Sequence, residues 1–280
     1  MNRTMITATN TLTQLQKQMD VISNNISNVD TTGYKRREAT FSDLMYQQFN
    51  NQPNANQEVG RLTPNGIRQG SGAKIAQVQL IMTQGSLKET ERPLDTAFTK
   101  EGQLYKVLVQ GEAGNSVQYT RNGAFYLSPI GENEEALVTS DGNFILDENN
   151  NPISFTGDPK SFSVDVNGRL TVAMTDGTAQ SFNLGVVQVN KPQFLEANGN
   201  SLYKLPANLA ELGVTEEDIL TELTGPLRTQ IGIRQSALEG SNVDLTKEMT
   251  DLINVQRAYQ FQSRSVSMAD QMMGLVNGIR

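Results

Sequence analysis

The 280-residue chain contains no cysteine, no histidine and no tryptophan. Without cysteine and histidine it has no disulfide, no thiolate nucleophile and no imidazole general base. Zinc sites built on these ligands are excluded for the same reason. Gly-x-Ser-x-Gly, Walker and dinucleotide-binding motifs are also missing from the sequence. These absences predict a protein that is not an enzyme and that binds no metal and no cofactor.

Positive charge is also scarce, with 23 Lys and Arg against 30 Asp and Glu and a formal net charge of -7. Such a chain repels phosphate backbones, so we expect no nucleic-acid partner. No stretch approaches the roughly 20 apolar residues that cross a bilayer. The start of the sequence lacks the basic region, apolar core and cleavage site of a secretory signal. We therefore expect no direct membrane insertion and no cleaved signal peptide.

An apolar stripe near the start predicts a long helix. Its members recur at alternating steps of three and four: Met5, Ala8, Leu12, Leu15, Met19, Ile22, Ile26 and Val29. This spacing is typical of a heptad seam, and the positions around it are mostly Thr, Gln, Asn and Ser. At 1.5 Å per residue the helix would be roughly 40 Å long.

A second periodic stretch closes the sequence. Cap-type residues at 241–244 precede a stripe of Leu245, Met249 and Leu252, which continues after a shift in phase through Val255, Ala258, Val266, Ala269, Met273 and Val276, with Tyr259 beside it. Ordering a residue costs about 1 to 2 kcal/mol, and each buried seam side chain returns only about 1.5 to 3 kcal/mol. Both helices should therefore need partners. They pack with each other and with further copies or, alternatively, form an antiparallel two-helix stalk within a monomer.

The middle of the chain reads as a β domain on a polar neck. Residues 47–74 are rich in Gln, Asn, Gly and Pro, which predicts a long loop or linker. Three two-residue turns lie between β-prone runs and predict hairpins: Asn122-Gly123, Asn167-Gly168 and Asp176-Gly177. A cap at Thr215 predicts a short helix at residues 216–223.

Together these patterns predict an α+β fold. The N- and C-terminal helices pair as a coiled-coil-like stalk, and a mostly antiparallel β domain is inserted between them. The boundaries that we predict are an N-terminal assembly helix at 1–30, a connector and Gln/Asn/Gly-rich loop at 31–74, a β domain with a return segment at 75–240, and a C-terminal assembly helix at 241–280.

Several charged groups invite a chemical interpretation that their context does not favour. The acidic turn at 140–152 lacks EF-hand spacing, because Gly142 follows Asp141 directly, so a hairpin and loop are expected. The pairs Glu134-Glu135 and Glu216-Glu217 lie in polar contexts that predict solvated surface. The basic cluster at 35–37 is interpreted as a solvated turn, with neutralisation of carboxylates of an adjoining subunit as the alternative.

Four segments carry a resemblance to a known family. "ISNNISNVDTTGYKR" at residues 22–36 resembles the N-terminal signature of the bacterial flagellar rod and hook proteins, and "SNVDLTKEMTDLINVQRAYQFQSRSVSMADQMM" at 241–273 resembles their C-terminal signature. In the interior, "QGSLKETERPLDTAF" and "YTRNGAFYLSPIGENEEALVTSDGNFIL" resemble the β-domain core of the distal-rod branch. The resemblance covers nearly the whole chain.

The resemblance implies a structural role. In this family the terminal helices form the inner tube of a hollow helical polymer and the β domain faces outward. It implies that subunit assembly is carried by Met5, Leu12, Leu15, Met19, Ile22, Ile26, Val29, Leu245, Met249, Leu252, Val255, Tyr259, Val266, Met273 and Val276. It implies a connector signature of Asn24, Asn25, Asn28, Thr32, Gly33, Tyr34 and Lys35, in which glycine supplies a conformation that other residues resist.

Partners and location follow from the same resemblance. It implies self-association, contact with other rod and hook proteins, and export through the flagellar type III apparatus to the basal body, outside the cytoplasmic membrane. A departure from the usual family pattern occurs at residues 101–105, where the chain reads Glu-Gly-Gln-Leu-Tyr, and another at Gln235-Ser236. The polar stretch 47–74 resembles an insert that distinguishes distal rod from flexible hook, so we expect it to stiffen a shaft. A hook or proximal-rod subunit, a secreted cell-wall hydrolase and a coiled-coil adhesin are the alternatives.

Overall fold

The computed structural model describes residues 2–43, 47–49, 67–69, 73–111, 114–131 and 133–278. The chain divides into two compact units. One comprises Met1–Asn24, Glu38–Val78 and Thr246–Arg280, and the other comprises Asn25–Arg37 and Gln79–Leu245. We call them the helical unit and the β unit.

Four α-helices are present in the described residues: α1 Asn2–Ser27, α2 Leu209–Leu212, α3 Glu216–Ile219 and α4 Leu245–Gly278. The two long helices lie where the apolar stripes predict them, which confirms an α+β chain with a helix at each end. Their pairing as a coiled-coil-like stalk stays a prediction. None of these helices is long and apolar enough to cross a membrane.

Twenty-one strands connect these helices in the described ranges. They are β1 Arg37–Asp43, β2 Gln47–Phe49, β3 Ile67–Gln69, β4 Ala73–Leu80, β5 Leu87–Glu89, β6 Thr96–Phe98, β7 Gln103–Gly111, β8 Gly114–Thr120, β9 Tyr126–Pro129, β10 Glu134–Val138, β11 Phe144–Ile145, β12 Ser154–Thr156, β13 Pro159–Val164, β14 Arg169–Met174, β15 Ala179–Asn183, β16 Val186–Val189, β17 Glu196–Ala197, β18 Leu202–Lys204, β19 Leu220–Glu222, β20 Ile233–Gln235 and β21 Ala237–Glu239.

In the helical unit, α1 is accompanied by short strand pairs. β1 pairs with β4, and β2 pairs with β3 in the antiparallel register Gln48↔Arg68. The side chain of Gln14 on α1 accepts a hydrogen bond from the backbone N–H of Ile75 on β4 at 3.0 Å. Residues 47–49 and 67–69, which composition predicts as loop, are therefore paired strands. Residues 50–66 and 70–72 of the predicted loop lie outside the described part.

A ten-stranded sheet is the centre of the β unit, in the order β12-β10-β11-β7-β8-β18-β17 with β16 on β7, β19 on β16 and β9 on β10. Every strand pair in it is antiparallel, which confirms the predicted sheet type. A three-stranded sheet, β13-β14-β15, and the pairs β20-β6 and β21-β5 complete the unit.

Two of the three predicted hairpins are confirmed. Gly168 and Gly177 adopt φ of +76° and +86° in the turns that join β13 to β14 and β14 to β15. The third prediction is wrong, because β8 pairs with β7 and β18 while β9 pairs with β10. The predicted helix at 216–223 is half wrong as well: only 216–219 is helical, and 220–222 pairs with β16 as β19.

The β unit contains two apolar clusters. The first is built on Phe98, Tyr105, Phe125, Phe155 and Ile233, and the second on Leu104, Tyr119, Val187, Tyr203 and Ile219. Successive residues of β7, Leu104 and Tyr105, point into different clusters because side chains alternate along a strand. The apolar cores hold β7 between them, and the polar site described below lies in the same unit.

Candidate functional site: the polar junction

A buried three-charge cluster joins distant parts of the chain in the β unit. The Glu239 carboxylate accepts a hydrogen bond from Lys35 Nζ at 2.6 Å and one from Arg121 Nε at 2.5 Å. The three side chains are at most 1 % exposed. We call the group formed by Asn25, Gly33, Tyr34, Lys35, Arg121, Glu239 and Asn242 the polar junction.

Backbone groups complete the surroundings of these charges. Lys35 Nζ also donates to the Thr83 carbonyl at 2.7 Å, and Glu239 accepts a third bond from the Gly85 N–H at 2.9 Å. Arg121 donates to the carbonyls of Gln103 and Lys100 at 2.6 and 2.9 Å. Buried charges are tolerated when they are paired and their remaining hydrogen-bonding capacity is used in this way.

Burial and neighbouring charges shift the pKa values of Glu239 and Lys35 in the junction. Burial alone would raise the pKa of Glu239, but the adjacent Arg121 and Lys35 outweigh it and hold that pKa below its ordinary value. Burial lowers the pKa of Lys35, helped by the nearby Arg121 and opposed by Glu239. The carboxylate is therefore the charge on which both cations depend.

Asn25 holds the connector by its side-chain amide. Its Oδ1 accepts hydrogen bonds from the Arg37 N–H at 3.0 Å and the Tyr34 hydroxyl at 3.2 Å, while its Nδ2 donates to the Arg37 carbonyl at 2.9 Å. Asn25 and Tyr34 are buried. An amide that bonds both backbone groups of one residue acts as a one-residue strand partner, so the connector has a defined path.

Asn242, at the other end of the chain, performs the same function. Its Oδ1 accepts from the Arg36 N–H at 2.7 Å and its Nδ2 donates to the Ile81 carbonyl at 2.8 Å. The backbone adds a bond from the Gly33 N–H to the Glu239 carbonyl at 2.8 Å. The Ser-Asn-Val-Asp sequence, which suggests helix capping, thus also fastens the connector.

Two glycines allow backbone segments to cross within the junction. Gly33 has φ of +69°, and a Cβ on it would lie 2.6 Å from the backbone N of Asn122. A Cβ on Gly85 would lie 2.1 Å from the carbonyl oxygen of Gly240. Real Cβ atoms do not approach backbone atoms this closely, so these positions require glycine.

The geometry makes this a structural joint. The carboxylate accepts three hydrogen bonds and both cations are engaged, which leaves no poised acid or nucleophile in the junction. The prediction of a solvated basic turn at 35–37 is wrong for Lys35, whose side chain is completely buried on a carboxylate of its own chain. Among the residues that the structure describes, no group of three acidic side chains could hold a metal ion.

The structure brings part of the predicted connector signature together. Asn25, Gly33, Tyr34 and Lys35 are buried in the junction, whereas Asn28 and Thr32 are half-buried and Asn24 is exposed. Arg121, Glu239 and Gly85 were not identified from sequence. Arg121 and Lys35 lie 118 and 204 residues from Glu239, and no local pattern signals a pairing over such distances.

The predicted assembly residues of α1 share one face. Ile22 is buried, and Met5, Leu12, Leu15, Met19 and Ile26 are half-buried. Val29 lies just beyond the end of α1 and is also half-buried. Its opposite face is exposed and carries Ile6, Asn10, Thr13, Lys17, Asp20 and Asn24, spaced by four and three. One long face of α1 is thus covered within the chain and one is open.

Two stripes of mainly apolar residues, one covered and one exposed, lie along α4. The covered stripe has heptad spacing and contains Glu248, Leu252, Val255, Tyr259, Gln262, Val266, Ala269 and Met273, all buried or half-buried. The exposed stripe has steps of four, four and three and contains Ile253, Arg257, Phe261, Arg264, Met268, Met272 and Leu275. We call the latter the exposed α4 stripe; sequence analysis did not identify it.

The burial pattern of α4 shows where the predicted apolar seam leaves the covered face. Leu245 and Met249 are 46 % and 47 % exposed and lie apart from the covered stripe that begins at Glu248. The side chain of Val276 lies outside the described part of the structure. A helix with two long apolar faces, one covered and one open, is expected where a second partner binds.

A groove of about 810 Å³ on the β unit bears on the hydrolase alternative. Tyr119, Glu216, Glu217 and Glu222 are among its lining residues. The Tyr119 hydroxyl donates to Glu216 at 3.2 Å, and Lys106 Nζ donates to Glu222 at 3.1 Å. Glu216 and Glu217 are exposed, as the sequence predicts, and such solvated carboxylates do not form a general acid–base pair.

Comparison with known families identifies the class of protein. A family model described as "Flagella basal body rod protein" matches residues 5–35, and one described as "Flagellar basal body rod FlgEFG protein C-terminal" matches residues 234–279. The first range contains Gly33, Tyr34 and Lys35, and the second contains Glu239 and Asn242. The chain belongs to the family of flagellar basal-body rod and hook-basal-body proteins, as the resemblance in its sequence implies.

Individual relatives support this assignment over the full length. The flagellar hook-basal body complex protein FlhP of Bacillus subtilis (strain 168) is 45 % identical over 285 residues, covering 100 % of both chains. The flagellar basal-body rod protein FlgG of Borreliella burgdorferi is 33 % identical and covers 100 % of this chain and 99 % of its own. FlgG of Bacillus subtilis is 29 % identical over 98 % of this chain and 97 % of its own. The prediction of a structural flagellar protein is confirmed.

Proposed function

We propose that this chain is a subunit of the distal rod, or of a closely related part of the hook-basal body, and that it polymerises into a hollow helical shaft that transmits motor torque. The observation that carries the proposal is the exposed α4 stripe. Ile253, Phe261, Met268, Met272 and Leu275 are 48 % to 70 % exposed on one helix. Five large apolar side chains exposed along one helix face mark a surface that a partner covers.

Polymerisation of one chain requires an interface that does not close on itself. We propose that the predicted assembly residues of α1 and α4 pair the two helices as a coiled-coil-like stalk in the polymer, where the stalk forms the inner tube and the β unit faces outward. The polar junction supports this arrangement, because it binds the connector after α1 directly to the return segment before α4.

The branch within the family is also part of the proposal. Bacillus subtilis (strain 168) supplies both kinds of relative: identity to its hook-basal body complex protein FlhP is 45 % and identity to its basal-body rod protein FlgG is 29 %. Both names point to the basal body. We propose that the chain contacts other rod and hook proteins there, that it is exported through the flagellar type III apparatus without a cleaved signal peptide, and that it has no catalytic activity.

Electron cryomicroscopy of isolated hook-basal bodies tests the proposal. A small label is inserted into the loop at residues 148–151, where Asn149, Asn150 and Asn151 are exposed, and into the exposed turn at Asp176-Gly177 as a matched second site. We expect both labels to ring the straight shaft below the hook at its outer surface. Label density along the curved hook would favour the hook alternative, and a stably exported product without density anywhere would contradict an axial subunit.

A further inference from the structure

The segment that precedes α4 closes the β unit from outside its two larger sheets. β20 pairs with β6 in the register Ile233↔Phe98, and β21 pairs with β5 in the register Leu238↔Lys88. Each is a separate two-stranded pair, and neither β20 nor β21 belongs to the ten-stranded or the three-stranded sheet. We call residues 231–242 the strap. The strap therefore adds to the β unit without being part of either larger sheet.

Burial and one side-chain amide hold the strap in place. Ile231 and Ile233 are at most 3 % exposed and belong to the first apolar cluster. Gln235 Nε2 donates to the Phe162 carbonyl at 2.9 Å, and Gln235 Oε1 accepts from the Val164 N–H at 3.2 Å. The strap is thus fastened to β13 by the amide of a single side chain.

The strap and the connector after α1 also bind each other. The Gly33 N–H donates to the Glu239 carbonyl at 2.8 Å, and the Arg36 N–H donates to Asn242 Oδ1 at 2.7 Å. Lys35 Nζ donates to the Glu239 carboxylate at 2.6 Å. Displacement of the strap therefore removes all three of these bonds from the connector at the same time.

The contacts of the strap are the most distant in sequence, so they should form last. Gln235 lies 142 residues from its partner Pro93, and Glu239 lies 204 residues from Lys35. The strands of the three-stranded sheet, in contrast, pair with their neighbours in sequence. Contacts that close long loops require more ordering of the chain before they are rewarded, and they form after local hairpins.

Two further features favour release of the strap by itself. Its detachment returns the buried charges of Lys35, Arg121 and Glu239 to water, which offsets part of the contacts that are lost. Ser236 has φ of +54°, a backbone conformation that costs a non-glycine residue energy and that relaxes when the strap is free. Proteins commonly open in such cooperative pieces below the free energy of global unfolding.

We propose that the strap and the connector form one releasable lock, which detaches while the two larger sheets stay folded and which docks last when the chain folds. Synthesis from the N-terminus produces the strap after every other strand of the β unit, so the β unit closes only when the chain is almost complete. Late closure would also keep the β unit easier to unfold for the export proposed above. Only this last consequence depends on the proposed function.

Native-state hydrogen exchange of the monomeric full-length protein, followed amide by amide by NMR, tests the lock. The N–H groups of Gly33, Thr90 and Gly240 bond across the strap, whereas those of Lys106 and Leu184 bond in and beside the larger sheets. We expect the first group, the lock amides, to exchange through one common opening at least about tenfold faster than the second group, the sheet amides.

Two substitutions should separate these groups. Val189 is 7 % exposed in the second apolar cluster, which contains no strap residue. Val189→Ala should accelerate exchange of the sheet amides by about tenfold and leave the lock amides unchanged, because the lock opens without disturbing that cluster. Gln235→Ala is the reciprocal variant and should accelerate both groups, because local opening and global unfolding both release the strap.

A disulfide across the strap provides a reversible test in a chain that has no cysteine. Glu89 and Ala237 lie opposite each other on β5 and β21, within the reach of a disulfide. Oxidised Glu89→Cys/Ala237→Cys should slow the lock amides to the rate of the sheet amides, and reduction should restore the difference. Thr171→Cys/Ser181→Cys, opposite each other on β14 and β15, is the matched control and should leave the lock amides unchanged.

Two exchange rates, a selective effect of Val189→Ala and loss of the faster rate in the oxidised strap variant support the lock. Lock and sheet amides that exchange at one rate and that Val189→Ala accelerates equally overturn it, as does fast exchange of the lock amides that persists in the oxidised strap variant. All of these measurements are made on the monomer. A failed lock therefore leaves the proposed polymer intact, and the labelled hook-basal bodies test that polymer separately.

Discussion

At the scale of the residue, the junction depends on one carboxylate. Glu239 is buried with two cations, Lys35 and Arg121, that have it as their common counter-charge. Removing one member of a buried ion cluster leaves the others uncompensated, which costs far more than loss of an exposed pair. Substitutions at Glu239 and at the two crossing glycines therefore test the junction directly.

We expect Glu239→Gln to lower the free energy of unfolding by about 3 to 5 kcal/mol, since the amide leaves two buried cations without an anion. Urea denaturation followed by circular dichroism measures the change. Glu196→Gln, in an exposed pair with Lys204 whose side chains are 45 % to 53 % accessible, is the matched control, with an expected change below about 1 kcal/mol. Equal effects of the two substitutions would show that the junction is not a stabilising site.

The same carboxylate predicts a pH dependence. Its pKa in the folded state lies below the ordinary 4.5, so the ion-pair contribution is complete above that value and is lost as pH falls through the lower folded-state pKa. The difference in unfolding free energy between wild type and Glu239→Gln should be constant from about pH 5 to 7 and should shrink below about pH 4.5. Urea denaturation at several pH values measures this difference in unfolding free energy. A difference that grows on acidification would contradict the prediction.

Gly33→Ala should lower the free energy of unfolding by more than the cost of placing an L-residue at positive φ. An L-residue at positive φ costs about 1 to 2 kcal/mol, and a Cβ here also meets the Asn122 backbone at 2.6 Å. Gly177→Ala is the matched control, because Gly177 has φ of +86° and no atom within 4 Å of the added Cβ. Thermal unfolding of both variants isolates the steric contribution; if the two lose the same stability, the close crossing at Gly33 is not rigid.

At the scale of the element, the two stripes of α4 should contribute to different properties: the stability of the folded chain and its association. Its covered stripe, with Val255 at 7 % exposure, stabilises the folded chain, whereas the exposed α4 stripe contributes little until a partner covers it. The same helix thus contains residues whose substitution should affect one property and not the other.

Phe261→Ser should leave the unfolding midpoint nearly unchanged and weaken self-association by at least about tenfold, since truncation of a hot-spot residue in an interface costs about 2 kcal/mol or more. Val255→Ala should do the reverse, lowering stability by about 1 to 3 kcal/mol through lost burial. Differential scanning calorimetry and sedimentation velocity on both variants make the comparison. Loss of stability in Phe261→Ser would mean that the stripe is already covered within the chain.

At the scale of the whole molecule, the polar stretch 47–74 is the feature with a mechanical consequence. Its described parts include β2 and β3, which pair with each other. A segment that wedges between neighbouring subunits would restrict their relative sliding and stiffen a shaft. We hypothesise this role for residues 47–74.

Deletion of residues 47–74 should then yield a polymer that still forms but bends more easily. The persistence length of negatively stained polymers of wild type and deletion variant measures the difference. Replacement of residues 47–74 by a Gly/Ser linker of equal length is the control for chain length, because such a linker is flexible and makes few contacts. A bending stiffness unchanged by the deletion would count against the wedge.

The sequence by itself determined the two long helices, the two-residue turns with glycine at positive φ, and the family. Each of these depends on residues close together in the chain: stripes at 3.6-residue spacing, Asn-Gly and Asp-Gly pairs, and contiguous signatures. The failed hairpin at Asn122-Gly123 marks the limit. The turn residues are present there, but β8 and β9 gain more by pairing with β7, β18 and β10.

Only the tertiary structure decided which residues of the signatures meet. Lys35 follows α1, Arg121 follows β8 and Glu239 precedes α4, so their buried cluster exists only after the fold of the β unit has brought three remote segments together. The exposed α4 stripe likewise became evident once one apolar face of the helix was covered. Long-range pairing and burial depend on the whole fold, and neither is encoded in the spacing of neighbouring residues.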